Sequence, residues 1–370
     1  MSRGSPALLR TPLHARHRAA GARMVPFAGF EMPVLYTSIV AEHRAVRTSA
    51  GLFDVSHMGE VRLRGPDASA LAERLFTNRV ASQPPGTVRY GLLCLETGGV
   101  VDDVTLYVYS PQNLLFCVNA SNIAADLEWM RQVHPRGGED CSIEDESQRT
   151  GLLAVQGPQA LALVGRLTPD DFSPPRRWHF VETRVAGAPV VLSRTGYSGE
   201  DGVEIFAPAA EIVRVWDALV ATGGEALVLA GLGARDTLRT EMAYPLYGHE
   251  LDREIDPIMA GLERFVAWGS GFVGEPVLVR KRDQGPEQRR VGIIMEGRAV
   301  PRAGCPILDS GGRKIGRVTS GTFGPSVERS IAIGYVSAAS AAPGLGVGIE
   351  IRGRSLPGRI TATPFFGRKG

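Results

Sequence analysis

Residues 195–206, TGYSGEDGVEIF, hold a turn that feeds a strand. Glu200 and Asp201 fall between Gly199 and Gly202, the turn; Glu204 lies between Val203 and Ile205 in the strand. Side chains alternate along a strand, so Glu204 faces away from its two apolar neighbours. A carboxylate there is either a solvated surface group or a ligand. As a ligand it suits a flat heterocycle with adjacent N–H donors, because a carboxylate accepts two parallel hydrogen bonds. On one strand alone the surface reading is the simpler.

Outward from this stretch, strand and helix signals alternate irregularly. VRLRG (61–65), TVRYGLLCL (87–95), DVTLYVY (103–109) and LLFCVNA (114–120) read as strands, with Gly98-Gly99 as a turn. Ser121 or Asn122 is placed to cap a helix to about Val133, with Ile123, Leu127 and Met130 on one face. GLLAVQGP (151–158) reads as a strand leading into the helix PQALALVGRL. EIVRVWDALVA (211–221) puts Ile212, Val215, Trp216 and Leu219 at core spacing, and ARDTLRTEM (234–242) is helical. After the polar stretch KRDQGPEQRR (281–290), short apolar strands separated by Gly and Pro run to the end. This predicts a domain boundary at 281–290, an α+β chain before it and a small β-barrel after it.

A chain of 370 residues exceeds one ordinary core, so two or three domains are expected. Its 44% hydrophobic and 22% charged content is globular, and no apolar run approaches a membrane span. Cys94, Cys117, Cys141 and Cys305 lie far apart, which reads as free thiols in a reducing compartment and gives no zinc or other metal site. Arg3, Arg10, Arg16, Arg18 and Arg23 precede the first acid, a pattern shared with mitochondrial targeting segments. There is no apolar signal core, however, and the segment runs on into what reads as folded sequence. A cytoplasmic protein is the expectation. Residues 286–370 carry 13 Lys/Arg against 5 Asp/Glu, on a chain of net charge +2. A basic end domain favours an anionic partner: an acidic protein, a polycarboxylate or nucleic acid. Arginines scattered singly among Gly and apolar residues argue against nucleic acid.

Common chemistries fall away. There is no G-x-x-x-x-G-K-[ST] loop, GLGARD (231–236) lacks the third glycine of a dinucleotide fingerprint, and G-Y-S-G (196–199) lacks the nucleophile-elbow spacing. What remains is acids, aromatics and one arginine. GGVVDDV (98–104) sets Asp102 and Asp103 just after a turn, so one can enter a pocket while the other meets solvent or caps the turn. Alternatively, both simply end a hairpin. In DVSHMGE (54–60), His57 reads as structural and Met58 as core packing. Arg235 in GARDTLRTE pairs with Asp236 or Glu241, or else forms a fork for a carboxylate.

DVSHMGE, GGVVDDV, TGYSGEDGVEI, GARDTLRTE and YPLYGHEL (244–251), in this order, resemble the aminomethyltransferases of the glycine cleavage system, the T-protein family. The resemblance runs from near Thr11 to the end of the chain. It implies a three-domain cloverleaf around a central tetrahydrofolate channel: residues 1–52 with 146–236, 53–145 with 237–285, and the barrel 286–370. It also implies transfer of a one-carbon unit from the aminomethylated lipoyl arm of H-protein to tetrahydrofolate, with release of ammonia. Carried over residue by residue, Asp103 is the catalytic aspartate, and Met58, Tyr90, Asn119, Tyr197, Glu204, Arg235 and Tyr244 contact folate. The family's terminal tyrosine is missing after Pro364-Phe365, where Phe366-Gly-Arg-Lys-Gly follows, and RTEMA (239–243) differs from the usual L-E-A-G. The same fold also resembles folate-dependent demethylases of small methylated compounds. A third branch, which assists iron–sulfur assembly, is set aside because GSGFVGEPV (269–277) lacks its cysteine.

Overall fold

The computed structural model describes residues 7–367, so Arg3 and the closing Arg368-Lys369-Gly370 lie outside the described residues. The chain folds as two compact units. One holds the chain up to Arg62, Gly86–Val88 and Glu144–Arg235; the other holds Leu63–Pro85, Arg89–Ile143 and the chain from Asp236 onward. Among the described residues no helix is long and apolar enough to cross a membrane.

The first unit is built on a six-stranded sheet. Its order is Phe180–Val185, Ala188–Ser193, Gly202–Pro208, Thr150–Gln156, Ala50–Asp54, Leu227–Leu229. Neighbours are antiparallel up to the last pair, which is parallel. A parallel neighbour requires a crossover connection, and the helix Ile212–Gly223 precedes this last strand, with a short 3-10 turn, Gly224–Ala226, between them. Its Ile212, Val215, Trp216 and Leu219 are buried in one core with Leu153, Val155, Val203 and Ile205. Gly151 permits the close approach, since a Cβ there would meet the Ile212 side chain at 2.7 Å. The arginine-rich segment is folded from Thr11 onward. Within its helix His14–Ala19, buried His17 shares a 2.8 Å hydrogen bond with Asp54, and Thr11 donates to the same carboxylate at 2.7 Å. Burial pushes the Asp54 carboxyl up, but bonds from His17, Ser56 and Thr11 outweigh it and hold the group below its ordinary range.

A five-stranded sheet, chiefly in the second unit, runs in the order Thr87–Cys94, Val100–Ser110, Asn113–Val118, Gly59–Arg64, Ser142–Asp145. The helix Ile123–Val133 buries Leu127, Trp129, Met130 and Val133. Six strands from Gln288–Met295 to Arg354–Thr361 close into the expected barrel, cored by Ile293, Ile307, Val318, Ile349 and Ile360. Within the polar stretch 281–290, the helix Glu275–Gln284 covers the first four residues and a strand begins at Gln288. Polar residues suit a helix whose buried members are Glu275 and Leu278. One expectation changes: Asp102 and Asp103 do not open their strand, because it starts at Val100.

Arg239, on the helix Leu232–Glu241, is 2% exposed and lies 2.7 Å from the fully buried Glu250. The guanidinium also donates to Ser320 at 2.8 Å, while Thr319 donates to Glu250, so both charges are hydrogen-bonded inside the second unit. Burial raises the Glu250 carboxyl, but Arg239 and the hydroxyls bring it below its ordinary value. Removing one partner strands the other charge. Arg239→Ala is therefore expected to cost about 3–5 kcal/mol in denaturant-induced unfolding, against about 0.5 kcal/mol or less for a typical surface change.

Candidate functional site

The eight residues named from the resemblance divide between the units. Met58, Tyr197, Glu204 and Arg235 belong to the first; Tyr90, Asp103, Asn119 and Tyr244 belong to the second.

In the second unit, Asp103 sits on the strand Val100–Ser110, where both oxygens are engaged. Tyr90 Oη donates to Oδ2 at 3.0 Å, and Asn119 Nδ2 donates to Oδ1 at 3.0 Å. Tyr90 comes from the adjacent strand and is braced edge-on by Phe265 at a ring distance of 4.7 Å. Asn119 follows the strand Asn113–Val118, the other neighbour of Val100–Ser110. Three flanking strands thus bring together three of the named residues. Burial above all, then the charge of Asp102, pushes the Asp103 carboxyl up to about 7, against the two bonds that favour its ionised form. A group that gains and loses a proton near neutral pH suits general acid–base work. Tyr244 lies in the loop after the Leu232–Glu241 helix, where its N–H donates to the Arg239 carbonyl at 3.0 Å.

Asp102 meets neither solvent nor a turn, contrary to expectation. It is fully buried, and it accepts from the Asn119 backbone N–H at 2.9 Å, Asn119 Nδ2 at 2.8 Å and Asn122 Nδ2 at 2.7 Å. Burial is tolerated because amide donors replace water. Asn122 occupies the N-cap of the helix Ile123–Val133, but its side chain makes no capping bond and serves Asp102 instead.

In the first unit the TGYSGEDG turn is fastened from several sides. Gln156 donates to the Thr195 carbonyl at 3.1 Å and accepts from Ser198 Oγ at 2.7 Å. Glu200 pairs with Arg47 at 3.0 Å, and Asp201 with Arg194 at 2.7 Å. These two acids hold the turn. Glu204, on the strand Gly202–Pro208, is half-buried; its Oε2 accepts from Thr195 Oγ1, while Oε1 takes no hydrogen bond among the described residues. Arg235 pairs with neither Asp236 nor Glu241: its guanidinium lies over the Tyr197 ring at 4.8 Å, and Asp236 is taken by Arg239 at 2.8 Å. Stacking on an aromatic face leaves the fork of donors at the guanidinium edge.

Met58 closes the turn after Ala50–Asp54, its N–H donating to Val55 O at 3.0 Å. Beside it in sequence, His57 is 3% exposed and lies edge-on to Phe27 at 5.5 Å; its Nδ1 has no partner among the described residues. Burial, helped by Arg235 and opposed by Asp54, pushes the imidazole down to about 4, so it is neutral. Sequence reasoning also passed over Asp126, a fully buried acid on the Ile123–Val133 helix. It lies four and seven residues before Met130 and Val133, both buried, and that acid on an apolar face was the available signal.

Comparison with known proteins agrees with this architecture. Residues 13–270 match the family model of the GCVT N-terminal domain, and residues 288–367 match the glycine cleavage T-protein C-terminal barrel domain. The chain is 45% identical over 372 residues to an aminomethyltransferase of Symbiobacterium thermophilum, covering 97% of this chain and 98% of that protein. It is 46% identical over 364 residues to one of Rubrobacter xylanophilus, covering 98% and 95%. The crystal structure of glycine cleavage system aminomethyltransferase T from Bartonella henselae matches with a TM-score of 0.90 at 32% identity, over 97% of this chain and 98% of that one. The chain belongs to the aminomethyltransferase family of the glycine cleavage system, the T-proteins.

Proposed function

We propose that this aminomethyltransferase uses tetrahydrofolate as acceptor and the aminomethylated lipoyl arm of H-protein as donor, with Asp103 as its catalytic acid. The observation that carries this reading is the Asp103 carboxyl, poised near neutrality between Tyr90 and Asn119. The donor sets fit the ligand. Glu204 keeps one carboxylate oxygen without a donor, as a pterin with adjacent N–H groups requires, and Arg235 is a fork suited to a folate carboxylate. Tetrahydrofolate, when bound, supplies the amines that take up the one-carbon unit.

Asp103 then orients an amine nitrogen and exchanges a proton with it, while Tyr90 and Asn119 prevent the carboxyl from rotating away. Tyr197 stacks under Arg235 and limits its rotamers. Met58 supplies apolar wall, and Tyr244 and Asn119 further contacts. Demethylation of a small methylated compound is the less favoured reaction, given relatives named aminomethyltransferase at 45% and 46% identity. The proposal includes a cytoplasmic setting and the three-domain division 1–52 with 146–236, 53–145 with 237–285, and 286–370. The basic last domain would steer an acidic H-protein surface, Arg313 being 82% exposed and only partly neutralised by Asp309 at 3.1 Å.

Methylenetetrahydrofolate formation from aminomethylated H-protein tests the reading. Asp103→Asn is expected to lower kcat by about 10²–10⁴-fold while tetrahydrofolate still binds; unchanged turnover would remove Asp103 from the chemistry. Glu204→Gln, which loses a charged acceptor, is expected to raise KM for tetrahydrofolate by roughly 10–100-fold. Reversing Arg313 and Lys314 to Glu should slow association with H-protein at low salt and matter less at high salt.

Stability gives a readout independent of activity. The Asp103 carboxyl is raised from its ordinary 3.8 to about 7, so the folded state binds its proton more tightly than the unfolded state. Stability from this group is full below the unfolded value and falls as pH rises through that window. The shift sets an upper bound of about 4 kcal/mol. Asp103→Asn should therefore melt above wild type near pH 8, with the gap closing toward about pH 4.

A further inference from the structure

Asp126 is completely buried in the helix Ile123–Val133, and neither of its carboxyl oxygens meets a donor among the described residues. Its carboxyl faces that of Asp102, and Asp103 lies within electrostatic reach. Arg253 is the attractive charge nearby, and Tyr247 senses Asp102, Asp126 and Arg253 alike. Three ionised carboxylates so placed would be a like-charge cluster, with amide donors for Asp102 and no hydrogen-bond donor for Asp126. One proton removes the conflict.

The donors decide where that proton resides. Asp102 accepts three N–H groups, from the Asn119 backbone, Asn119 Nδ2 and Asn122 Nδ2, all of which favour its charged form. Asp126 accepts none. Burial first, then the charges of Asp102 and Asp103, pushes the Asp126 carboxyl up to about 11. An O–H on Asp126 directed at Asp102 satisfies both groups.

We propose that Asp126 is a positioning residue: a neutral carboxylic acid that donates to Asp102 and, through Asp102 and Asn119, sets the orientation and charge surroundings of Asp103. The chain of bonds is continuous. Asn119 Nδ2, which binds Asp102 Oδ1, is also 3.0 Å from both the Asp103 carbonyl and Asp103 Oδ1. An ionised Asp102 raises the Asp103 carboxyl, while Tyr90 and Asn119 lower it. If Asp102 lost the Asp126 donor it would take up the proton itself, and its charge would no longer act on Asp103.

The inference rests on the role proposed for Asp103, so its test begins with a readout that needs no turnover. Infrared difference spectra of the full-length protein would be recorded from acid to alkaline pH, with the Asp103 signal identified by Asp103→Asn. Asp126→Asn stays neutral and keeps an N–H donor. It should lose one protonated-carboxyl band present at neutral pH while leaving the Asp103 midpoint and kcat close to wild type. Asp126→Ala should lose the same band, lower the Asp103 midpoint by about one unit and cut kcat by about tenfold with KM little changed. A band that survives in Asp126→Asn, or a folded Asp126→Ala with an unmoved Asp103 midpoint, would overturn the proposal. If Asp126→Ala does not fold, the band in Asp126→Asn decides. A wild type that shows the band but forms no methylenetetrahydrofolate would support the acid pair and discard the reaction.

Discussion

Asn119 binds two adjacent aspartates at once, and the arrangement of the second unit's acids depends on it. Successive residues of a strand face opposite ways, so Asp102 and Asp103 would ordinarily lie in separate surroundings. The Asn119 backbone N–H and side-chain amide meet Asp102, and the same amide nitrogen reaches the Asp103 carboxylate. Two neighbouring acids, Asp102 fully buried and Asp103 half-buried, are thereby held by amide donors in place of a cation. The compromise is incomplete, and the residual strain appears as the elevated Asp103 carboxyl. A site poised in this way trades stability for reactivity.

The first unit handles its acids differently. Asp54 has His17, Glu200 has Arg47 and Asp201 has Arg194, each at 3.0 Å or less. Such pairs fix geometry and hold carboxylates ionised, as the lowered Asp54 and Asp201 illustrate. Glu204 stands apart, held by a single hydroxyl with an oxygen to spare. Asp54, Glu200 and Asp201 thus serve the frame of the first unit, whereas Glu204 keeps an oxygen for a ligand on the reading proposed above.

Much of this was legible from the residues. The helix over 211–221 followed from Ile212, Val215, Trp216 and Leu219, because a 3.6-residue period needs no tertiary information. The barrel followed from short apolar runs punctuated by Gly and Pro, and Asp103, Tyr90 and Asn119 came from motif resemblance. What escaped depends on partners far apart in the chain. Arg235 has acids nearby in sequence, yet it stacks on Tyr197, 38 positions upstream. Asn122 has the sequence of a cap, but Asp102 outcompetes the helix for its side chain. The polar run 281–290 marks the change of texture, but composition alone did not show that the helix Glu275–Gln284 extends into it, because a helix with a charged surface resembles a loop in composition.

The barrel's closure bears on how the chain is made. Its seam joins Gln288–Met295 to Arg354–Thr361, strands from the two ends of the domain, with Gly292 opposite Thr361 and Met295 opposite Gly358. The opening strand therefore has no partner at the seam until Arg354–Thr361 has been synthesised. Chains emerge and fold from the N-terminal side, so the six-stranded sheet of the first unit, complete at Leu229, is free to assemble while the barrel is still unfinished. During that interval Ile293 and its neighbours border an open edge, which the finished barrel removes altogether.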